Sequence, residues 1–535
     1  MSLNVPAVVL AETTHAALMT ARGLPREVLD SGHVHIPTGD VSDELLADVG
    51  AAAVRAGAAT FAAGVETIIA ARAGRFRSVP NAAAVPEVLL AYLAHEPIDG
   101  WVYLDTDLGH AVPCLVLDIR QTPHGQLDVT LTAARPDSYS HLPNTWRSRA
   151  LRIDAACDQT RGGRPETILR RLGLCKETPA MKQQYTTHMD ALVELLANGV
   201  GTRCVGNGTA LQIQEFGTAF PRNLDGHMVV LDTTSLPVES PIEAELRESR
   251  PAQVPGDPDL SRMPVWPVVE VFDPAADEAL VMHIADVSAH VFDDTLIDRL
   301  VLPHTHSRLL DVLTGDSAAY VTDLIAGKSA GNLILCQGSP GVGKTLTAEV
   351  YAETLNKTLY RVDLGILLGD KGVGAPIRHT LATVFERVRR WDAVLLIDEA
   401  DVLVGTRGND LARNALTAEF LRVLEYFDRL AFLTTNRPYD IDDAIRSRCA
   451  AVITYQPPTG QDAARAWQTL AALHQRQLPP PLIEQLIEAF PVISPRDMRQ
   501  LLRLVAQVAA HEDREFSIDL FRECSVFRGL TPAAA

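Results

Sequence analysis

The sequence predicts an α/β fold in its C-terminal half, where a parallel five-stranded sheet precedes a helical region, and an α+β region in its N-terminal half. Two observations predict this. A strand pattern at residues 333–336 runs into a glycine-rich loop, and a helical pattern begins near Thr345. A second apolar run, at residues 393–397, ends in acidic residues. Continuous apolar runs are typical of strands buried on both faces of a parallel sheet.

The glycine-rich loop fits the phosphate-binding pattern GxxxxGK[ST] without a mismatch. Its glycines let backbone N–H groups turn towards phosphates, and the helix that follows adds its positive dipole end. Lys344 can reach the β- and γ-phosphate oxygens, and the Thr345 hydroxyl lies where a Mg²⁺ ligand is required. The sequence therefore predicts a nucleoside triphosphate site formed by Gly338, Ser339, Pro340, Gly341, Val342, Gly343, Lys344, Thr345 and Leu346.

The second apolar run ends in Asp398-Glu399-Ala400-Asp401. Carboxylates at the C-terminal end of such a strand emerge where open α/β sheets bind ligands. We expect Asp398 to hold Mg²⁺, directly or through water, and Glu399 to orient and deprotonate the attacking water. Asp401 is expected to cap a helix or to support the other acids. The glycine-rich loop and the acidic end of the second apolar run together predict hydrolysis of the nucleoside triphosphate in addition to its binding.

Together these motifs resemble those of the AAA+ ATPases, close to the AAA clade, and the resemblance covers about residues 296–535. Further matches follow in the family's order. Asn436, at the tip of a third apolar run, matches the sensor-1 residue that contacts the γ-phosphate or the attacking water. Arg448 and, as the weaker candidate, Arg446 match the arginine fingers. Arg496 resembles the sensor-2 arginine, with a surface role as the alternative because many AAA-clade members lack that arginine.

The resemblance implies ATP and Mg²⁺ as cofactors and a homo-oligomeric ring, usually a hexamer, in which an arginine finger serves the neighbouring subunit's nucleotide. The resemblance also fits the strand and helix patterns of the C-terminal half. Strands are predicted at residues 333–338, 358–364, 393–398, 431–436 and 450–456. Helices of the family's small lid are predicted at residues 461–474, 482–490, 494–512 and 517–527.

We expect six segments along the chain. The N-terminal half resembles no family that we recognise, and its segments rest on composition and turn signals alone. The expected segments are a mainly helical region (1–98), an α+β domain (99–236), a linker (237–264), a β-hairpin before the core (265–295), the α/β ATPase domain (296–458) and the helical lid (459–535).

One segment departs from the family pattern. Ring translocases usually carry an aromatic residue in the loop after the second strand, where it grips a threaded polypeptide. No aromatic residue lies between Tyr360 and Phe385 in this sequence, and the corresponding loop at residues 367–374 is rich in glycine. The sequence therefore favours limited remodelling or a nucleotide-driven switch over complete unfolding of a substrate.

Composition narrows the class of partner. The 535 residues include 48 basic and 67 acidic side chains, for a net charge of −19. This balance opposes a general nucleic-acid-binding role, which needs clustered Lys and Arg. The sequence shows neither a secretory leader nor an apolar run of about 18 residues, so no membrane segment is expected. Seven cysteines without a CxxC pair fit reduced thiols in a cytoplasm.

The expected function is Mg²⁺-dependent ATP hydrolysis by a ring, coupled to remodelling or disassembly of an unknown protein client bound through the N-terminal half. An ATP-gated scaffold or switch in a defence or signalling assembly, with slow hydrolysis and no threading, is the alternative. A nucleic-acid remodeller of the helicase-loader kind is a further alternative that the acidic charge disfavours.

Overall fold

The computed structural model describes most of the chain, with several gaps. The described residues are 2–19, 33–37, 41–121, 127–136, 146–155, 163–213, 219–232, 262–315, 332–362, 377–404, 411–425 and 427–533. Two segments named above fall largely or wholly outside these ranges. They are the predicted linker and the glycine-rich loop at residues 367–374.

The first region combines a short two-stranded sheet with helices. Its antiparallel strands pair Ser2 with Pro37, and Ser42 caps the first long helix by accepting a hydrogen bond from the backbone N–H of Leu45 at 3.1 Å. A short link at residues 56–58, which contains Gly57, joins α3 to α4, and these two helices pack on each other. The elements are β1 (Ser2–Pro6), α1 (Ala7–Leu10), α2 (Ala16–Met19), β2 (His33–Pro37), α3 (Asp43–Arg55), α4 (Ala59–Arg72) and α5 (Val85–Ala94).

Two antiparallel five-stranded sheets follow. Sheet 1 has the strand order β6-β5-β4-β3-β7. Its elements are β3 (Trp101–Asp105), β4 (Ala111–Gln121), β5 (Leu127–Pro136), β6 (Trp146–Ala155), α6 (Pro165–Arg171) and β7 (Leu174–Lys176). Apolar side chains of β3 to β5 share one core with α3, α4 and α5.

Sheet 2 has the order β11-β10-β9-β8-β12, and β11 also pairs with β8, so four strands close on themselves. Its elements are α7 (Pro179–Ala197), β8 (Arg203–Ile213), β9 (Ala219–Leu231), β10 (Val268–Asp273), β11 (Glu278–His283) and β12 (Val287–Ala289). The hairpin expected before the core is formed by β10 and β11, and the segment expected as one α+β domain contributes strands to both sheets. The six domain boundaries stay predictions.

The C-terminal half contains the parallel sheet that the sequence predicts, so the fold class is confirmed. Its order is β14-β15-β16-β13-β17, and every pairing is parallel. The elements are α8 (Leu296–Arg299), α9 (His304–Thr314), β13 (Leu333–Gly338), α10 (Lys344–Thr354), β14 (Leu359–Val362), α11 (Ile377–Trp391), β15 (Val394–Ile397), α12 (Asp401–Val404), α13 (Leu411–Leu424), β16 (Ala431–Thr435), α14 (Asp443–Arg446) and β17 (Ala451–Tyr455).

Four helices complete the chain and form a core of their own around Trp467 and Phe521. They are α15 (Gly460–Leu473), α16 (Pro480–Ala489), α17 (Pro495–Glu512) and α18 (Ile518–Val526). Among the helices of the described ranges, none combines the length and the apolar character that a membrane span requires.

Sheet 2 and the parallel sheet share apolar and polar contacts. Val230 and Phe272 of sheet 2 are buried in the same cluster as Tyr360 and Trp391 of the parallel-sheet region. The buried carboxylate of Asp232 accepts a hydrogen bond from Trp391 Nε1 at 2.9 Å. Because charged groups are buried only when they are paired, these contacts fix the position of sheet 2 against the core.

Candidate functional site

The phosphate-binding loop connects β13 to α10 and depends on three glycines. Gly338, Gly341 and Gly343 have φ angles of 148°, 83° and 103°, a range that L-residues with a side chain rarely adopt. A Cβ atom at Gly338 would lie 2.4 Å from the Tyr455 carbonyl oxygen. The loop therefore needs glycine both for its backbone angles and for its close contact with β17.

Lys344 lies inside the loop and is 7% exposed. Its Nζ donates hydrogen bonds at 2.8 Å to the carbonyl oxygens of Gly338 and Ser339 and to Asn436 Oδ1. Burial lowers the pKa of the ammonium, while Asp398 and Asp401 act in the opposite direction. The structure thus places the sensor-1 candidate Asn436 directly against the lysine of the loop.

Thr345 and Asp398 supply neighbouring oxygen atoms at the end of β15. Thr345 Oγ1 donates to Asp398 Oδ1 at 3.0 Å, and the other carboxylate oxygen accepts from Arg361 Nη2 at 2.7 Å. Mg²⁺ prefers oxygen ligands, usually one or two from the protein, with phosphates and waters completing the octahedron. A hydroxyl and a carboxylate side by side beside a phosphate-binding loop fit that requirement.

Glu399 is the residue after Asp398, and its side chain is exposed. Its φ angle is +52°, which is uncommon for a residue with a side chain. The backbone N–H of Glu399 donates to Thr434 Oγ1 at 3.0 Å. The strand end thus directs one acid inward and leaves the next one accessible to solvent and substrate.

Asp401 supports the sensor-1 residue from the neighbouring strand end. Its Oδ1 accepts hydrogen bonds from Thr435 Oγ1 at 2.5 Å and from the backbone N–H of Asn436 at 3.0 Å. The acid therefore holds the end of β16 beside β15, which fixes the backbone that presents the Asn436 amide to Lys344.

The two finger candidates lie away from the loop of their own chain. Arg446 ends α14, Arg448 follows it, and both are exposed. Arg448 Nη1 donates to the carbonyl oxygen of Ala444 at 3.0 Å. Within the described residues, neither arginine has a hydrogen bond or an ion pair to residues 338–345.

The C-terminal helical region touches the loop through the first turn of α17. The backbone N–H of Arg496 donates to the Gly341 carbonyl oxygen at 3.2 Å, and a Cβ atom at Gly341 would lie 2.7 Å from Arg496 Cβ. The Arg496 side chain is exposed. The structure therefore brings the sensor-2 candidate to the phosphate-binding loop.

A cavity of about 500 Å³ opens beside the loop, between α8, α9, β17 and α15. It mixes apolar side chains with a few polar groups, a composition typical of small-molecule sites. Leu346, from the first turn of α10, forms part of its wall and is 50% exposed. Further wall residues include Leu300, Val301, Leu302, His306 and Val342. The volume and lining suit the base and ribose of a nucleotide whose phosphates lie in the loop.

Sequence reasoning missed Arg361, Thr434 and the cavity residues outside the phosphate-binding loop and Leu346. Arg361 lies within an ordinary alternation of β14, so nothing in its sequence context marks it. Thr434 carried a usable signal, because it is a polar residue inside the apolar run of β16 and is only 1% exposed. The cavity residues come from segments far apart in the chain, and only the fold brings them together.

Comparisons with known proteins agree with this geometry. Residues 334–457 match the family described as "ATPase family associated with various cellular activities (AAA)". The chain is 30% identical over 154 residues to the ATPase family AAA domain-containing protein FIGL1 of Arabidopsis thaliana, covering 27% of this chain and 22% of that protein. It is 32% identical over 139 residues to the AAA family ATPase y4kL of Sinorhizobium fredii, covering 24% and 40%.

Spastin of Danio rerio is 26% identical over 212 residues, or 36% of this chain and 37% of spastin. The chain therefore spans less than half the length of these three relatives. The family match at residues 334–457 includes the phosphate-binding loop, both acids, Asn436 and the two finger candidates. The phosphate-binding loop, the parallel sheet and the family match lead to one conclusion: residues 334–457 of this chain are an AAA ATPase domain.

Proposed function

We propose that this protein hydrolyses ATP to ADP and phosphate with Mg²⁺ as cofactor. The observation that supports this best is the position of Lys344 and Thr345, at the start of α10, beside Asn436 and Asp398 at the ends of β16 and β15, with Glu399 exposed beside them. Phosphoryl transfer needs positioned cations, ligands for Mg²⁺ and a group that orients water, and the site offers a residue for each.

The residues divide the work as follows. Loop N–H groups and Lys344 bind the phosphates, and Thr345 and Asp398 would hold Mg²⁺, which neutralises charge on the β- and γ-phosphate oxygens. Glu399 accepts a proton from water as the water oxygen attacks the γ-phosphorus and the bond to the β-phosphate oxygen breaks. Asn436 Oδ1, held by its backbone bond to Asp401, orients the γ-phosphate side of the site.

We further propose that active sites are shared between the subunits of a homo-oligomeric ring, with a hexamer as the expected assembly. Arg448 is exposed and lies away from its own loop, a position suited to reaching a neighbour's nucleotide, and Arg446 is the second candidate. An arginine placed on the γ-phosphate stabilises charge that develops during transfer. Loss of turnover on dilution to monomers would support a shared site.

The work done by hydrolysis is proposed to be remodelling of a protein client. The chain's matches include spastin and putative 26S proteasome regulatory subunit homologs. We propose that the N-terminal half, which contains sheets 1 and 2, binds such a client. The net charge of −19 disfavours nucleic acid as the main partner. We also propose that the protein acts in the cytoplasm.

An ATP-gated scaffold is the second candidate. It is favoured by the absence of any aromatic residue between Tyr360 and Phe385 in the sequence, a stretch in which a threading loop would need one. In that case ATP binding times the assembly of a complex, and slow hydrolysis ends it. A turnover rate that no added protein stimulates would favour the scaffold over remodelling.

The test begins with the purified chain and variants of the two motif residues. Steady-state phosphate release is measured with Mg²⁺ and with a chelator, for wild type, Lys344→Ala and Glu399→Gln. The Glu399→Gln variant is then expressed in the native host, and proteins bound in the presence of ATP are identified, with Lys344→Ala as the matched control. A partner held only by the Glu399→Gln form supports remodelling, whereas a large particle without such a partner supports the scaffold.

A further inference from the structure

Thr434 is a buried residue at the centre of the site for which the motifs assign no role. It lies on β16, two residues before Asn436, and is 1% exposed. A hydroxyl at such a depth is normally satisfied by backbone atoms or by other side chains. Its partners are therefore informative about what holds the site together.

The Thr434 hydroxyl joins the two acids of β15. Oγ1 donates to Asp398 Oδ1 at 2.6 Å and accepts from the backbone N–H of Glu399 at 3.0 Å. The Thr434 carbonyl oxygen also accepts from the N–H of Ala400 at 2.8 Å. A hydroxyl carries one donor and two acceptor sites, so a single oxygen can bridge both acids. No apolar residue can replace this bridge.

The bridge matters most at Glu399, whose φ angle of +52° is one that residues with a side chain rarely adopt. Such a conformation persists only when the surroundings determine it strongly. The N–H of Glu399 and the N–H of Ala400 are both bound by Thr434, so this one residue holds the turn on either side of the Glu399 carbonyl group. The conformation of this turn sets the direction of the Glu399 side chain.

The Thr434 hydroxyl also bonds to the Asp398 carboxylate, which has further hydrogen-bond partners. Asp398 Oδ1 also accepts from Thr345, and Asp398 Oδ2 accepts from Arg361. Removal of the Thr434 hydroxyl would leave these two bonds in place and would free Asp398 Oδ1 to rotate towards Thr345. The Glu399 N–H, in contrast, would lose its side-chain acceptor.

We propose that Thr434 is a positioning residue for hydrolysis, which sets the Asp398 carboxylate and the Glu399 backbone at once. This inference rests on the proposed ATPase function. Thr434 contacts the Asp398 carboxylate and the Glu399 backbone, so it acts through the two acids. Loss of the bridge is therefore expected to slow the chemical step and to weaken the contribution of Mg²⁺, while phosphate binding by Lys344 continues.

The decisive variants are Thr434→Val, which keeps the shape and removes the hydroxyl, and Thr434→Ser, which keeps the hydroxyl and removes the methyl group. Thr358→Val is the matched control. Thr358 is also a buried threonine of the parallel-sheet region, and its hydroxyl donates to the Gly201 carbonyl oxygen at 2.6 Å, away from the site. Thr434→Ala is a second variant for use if valine does not fold.

We expect Thr434→Val to lower kcat by about 10- to 100-fold, the usual effect of losing a residue that orients a metal ligand. Its Kd for a fluorescent ATP analogue without Mg²⁺ stays within about twofold of wild type, because Lys344 and the loop are intact. The gain in affinity on adding Mg²⁺ becomes smaller. Thr434→Ser recovers most of the activity, and Thr358→Val keeps the wild-type kcat.

The outcomes separate this inference from the proposed function. A wild-type protein that neither binds nor hydrolyses ATP overturns the proposed function itself. A wild type that hydrolyses ATP together with a Thr434→Val variant of equal kcat and equal Mg²⁺ response overturns the role of Thr434. Equal losses in Thr434→Val and Thr358→Val, with equal falls in melting temperature, would assign the effect to stability and also overturn it.

Discussion

Lys344 is a buried cation whose hydrogen-bond partners are all uncharged oxygen atoms, namely two loop carbonyls and the Asn436 amide. Burial disfavours the charged ammonium and lowers its pKa. Phosphate oxygens would provide the negative charge that these partners lack. Binding energy at this residue is thus expected to come from replacing weak acceptors by strong ones.

Substitution of Glu399 and Lys344 should separate hydrolysis from binding. We expect Glu399→Gln to bind ATP with near wild-type affinity and to lose about 10²- to 10⁴-fold in turnover, because a general base is removed. Lys344→Ala should lose ATP binding itself. Equilibrium binding of a fluorescent analogue and single-turnover phosphate release measure the two effects. Normal turnover in Glu399→Gln would contradict its assignment as the base.

Arg448→Ala tests whether the site is shared. An arginine finger contributes about 10³- to 10⁵-fold to rate in other NTPases, so the variant should lose hydrolysis while keeping its ATP affinity. Arg446→Ala is the matched control, since both arginines are exposed and close in sequence, and it should retain more activity. Mixing Arg448→Ala with Glu399→Gln should restore part of the turnover if the finger acts across subunits. A loss of ATP affinity in Arg448→Ala would indicate a role in its own site.

At the scale of elements, the sequence patterns predicted the C-terminal half well. The five strands and the four final helices appear within about two residues of their predicted bounds wherever the structure describes them. Long apolar runs predict the strands, and residues that cap helices predict where the helices begin. Ser494, for example, accepts a hydrogen bond from the Asp497 N–H at the start of α17.

Other features depend on distant parts of the chain and could not be predicted. The two N-terminal sheets contain strands that range from 3 to 13 residues, with register shifts in two of the pairings, and nothing local says which strand pairs with which. Sheet 2, for instance, unites residues 203–213 with residues 278–283 by a pairing that closes the sheet. Within the site, the motifs singled out Lys344 and Asn436 as separate candidates, but their mutual hydrogen bond and the bridge formed by Thr434 arise only from the way the strand ends are placed in the sheet.

Gly201, two residues before β8, makes one of the close contacts between the sheet 2 region and α11. A Cβ atom there would lie 2.4 Å from the Trp391 carbonyl oxygen, and its φ angle is +94°. We expect Gly201→Ala to lower the free energy of unfolding by about 2–4 kcal/mol, through backbone strain and overpacking. Denaturant unfolding followed by tryptophan fluorescence measures the change.

Gly199→Ala provides the matched control for this prediction. Gly199 has a similar φ angle of +83°, but a Cβ atom there would meet nothing within 4 Å. Gly199→Ala should therefore lower the free energy of unfolding by only about 1 kcal/mol, which is the contribution of backbone strain alone. Equal losses in the two variants would show that Trp391 does not restrict the space at Gly201.

At the scale of the whole molecule, three histidines lie where sheet 1, α7 and sheet 2 meet. The rings of His110 and His283 stack with centroids 4.1 Å apart, and His188 approaches His283 at 4.8 Å. His110 Nε2 lies 3.0 Å from the carboxylate of Asp286. His283 is fully buried, and its Nδ1 accepts from the Ala285 N–H, so its Nε2 carries the proton in the neutral ring.

Burial, reinforced by His110 and His188, lowers the pKa of His283 from 6.5 to about 3. Below pH 6.5 the unfolded chain binds a proton that the folded protein does not, so this group's contribution to stability is complete above that pH and is lost as pH falls towards 3. The pKa of His188 is lowered in the same direction by burial and by His110, with Asp286 opposing. We expect the melting temperature to fall between pH 7 and pH 5.

His283→Asn should flatten this dependence, because its amide oxygen can still accept from Ala285 while the group no longer titrates. His511→Gln is the control, since His511 is exposed on α17. Melting temperatures at several pH values for the three proteins give the comparison. A pH profile of His283→Asn as steep as that of the wild type would contradict the prediction.

The apolar cluster shared by Val230, Phe272, Tyr360 and Trp391 bears on how this protein can be dissected. A cut before residue 296, where sequence alone would begin the ATPase, passes through the middle of that cluster. Such a fragment would present aromatic surface to water and would be prone to aggregate. A piece that keeps these contacts starts near Pro179, so we expect a stable fragment of the ATPase domain to include α7 and sheet 2, although it would lose the stacking of His110 on His283.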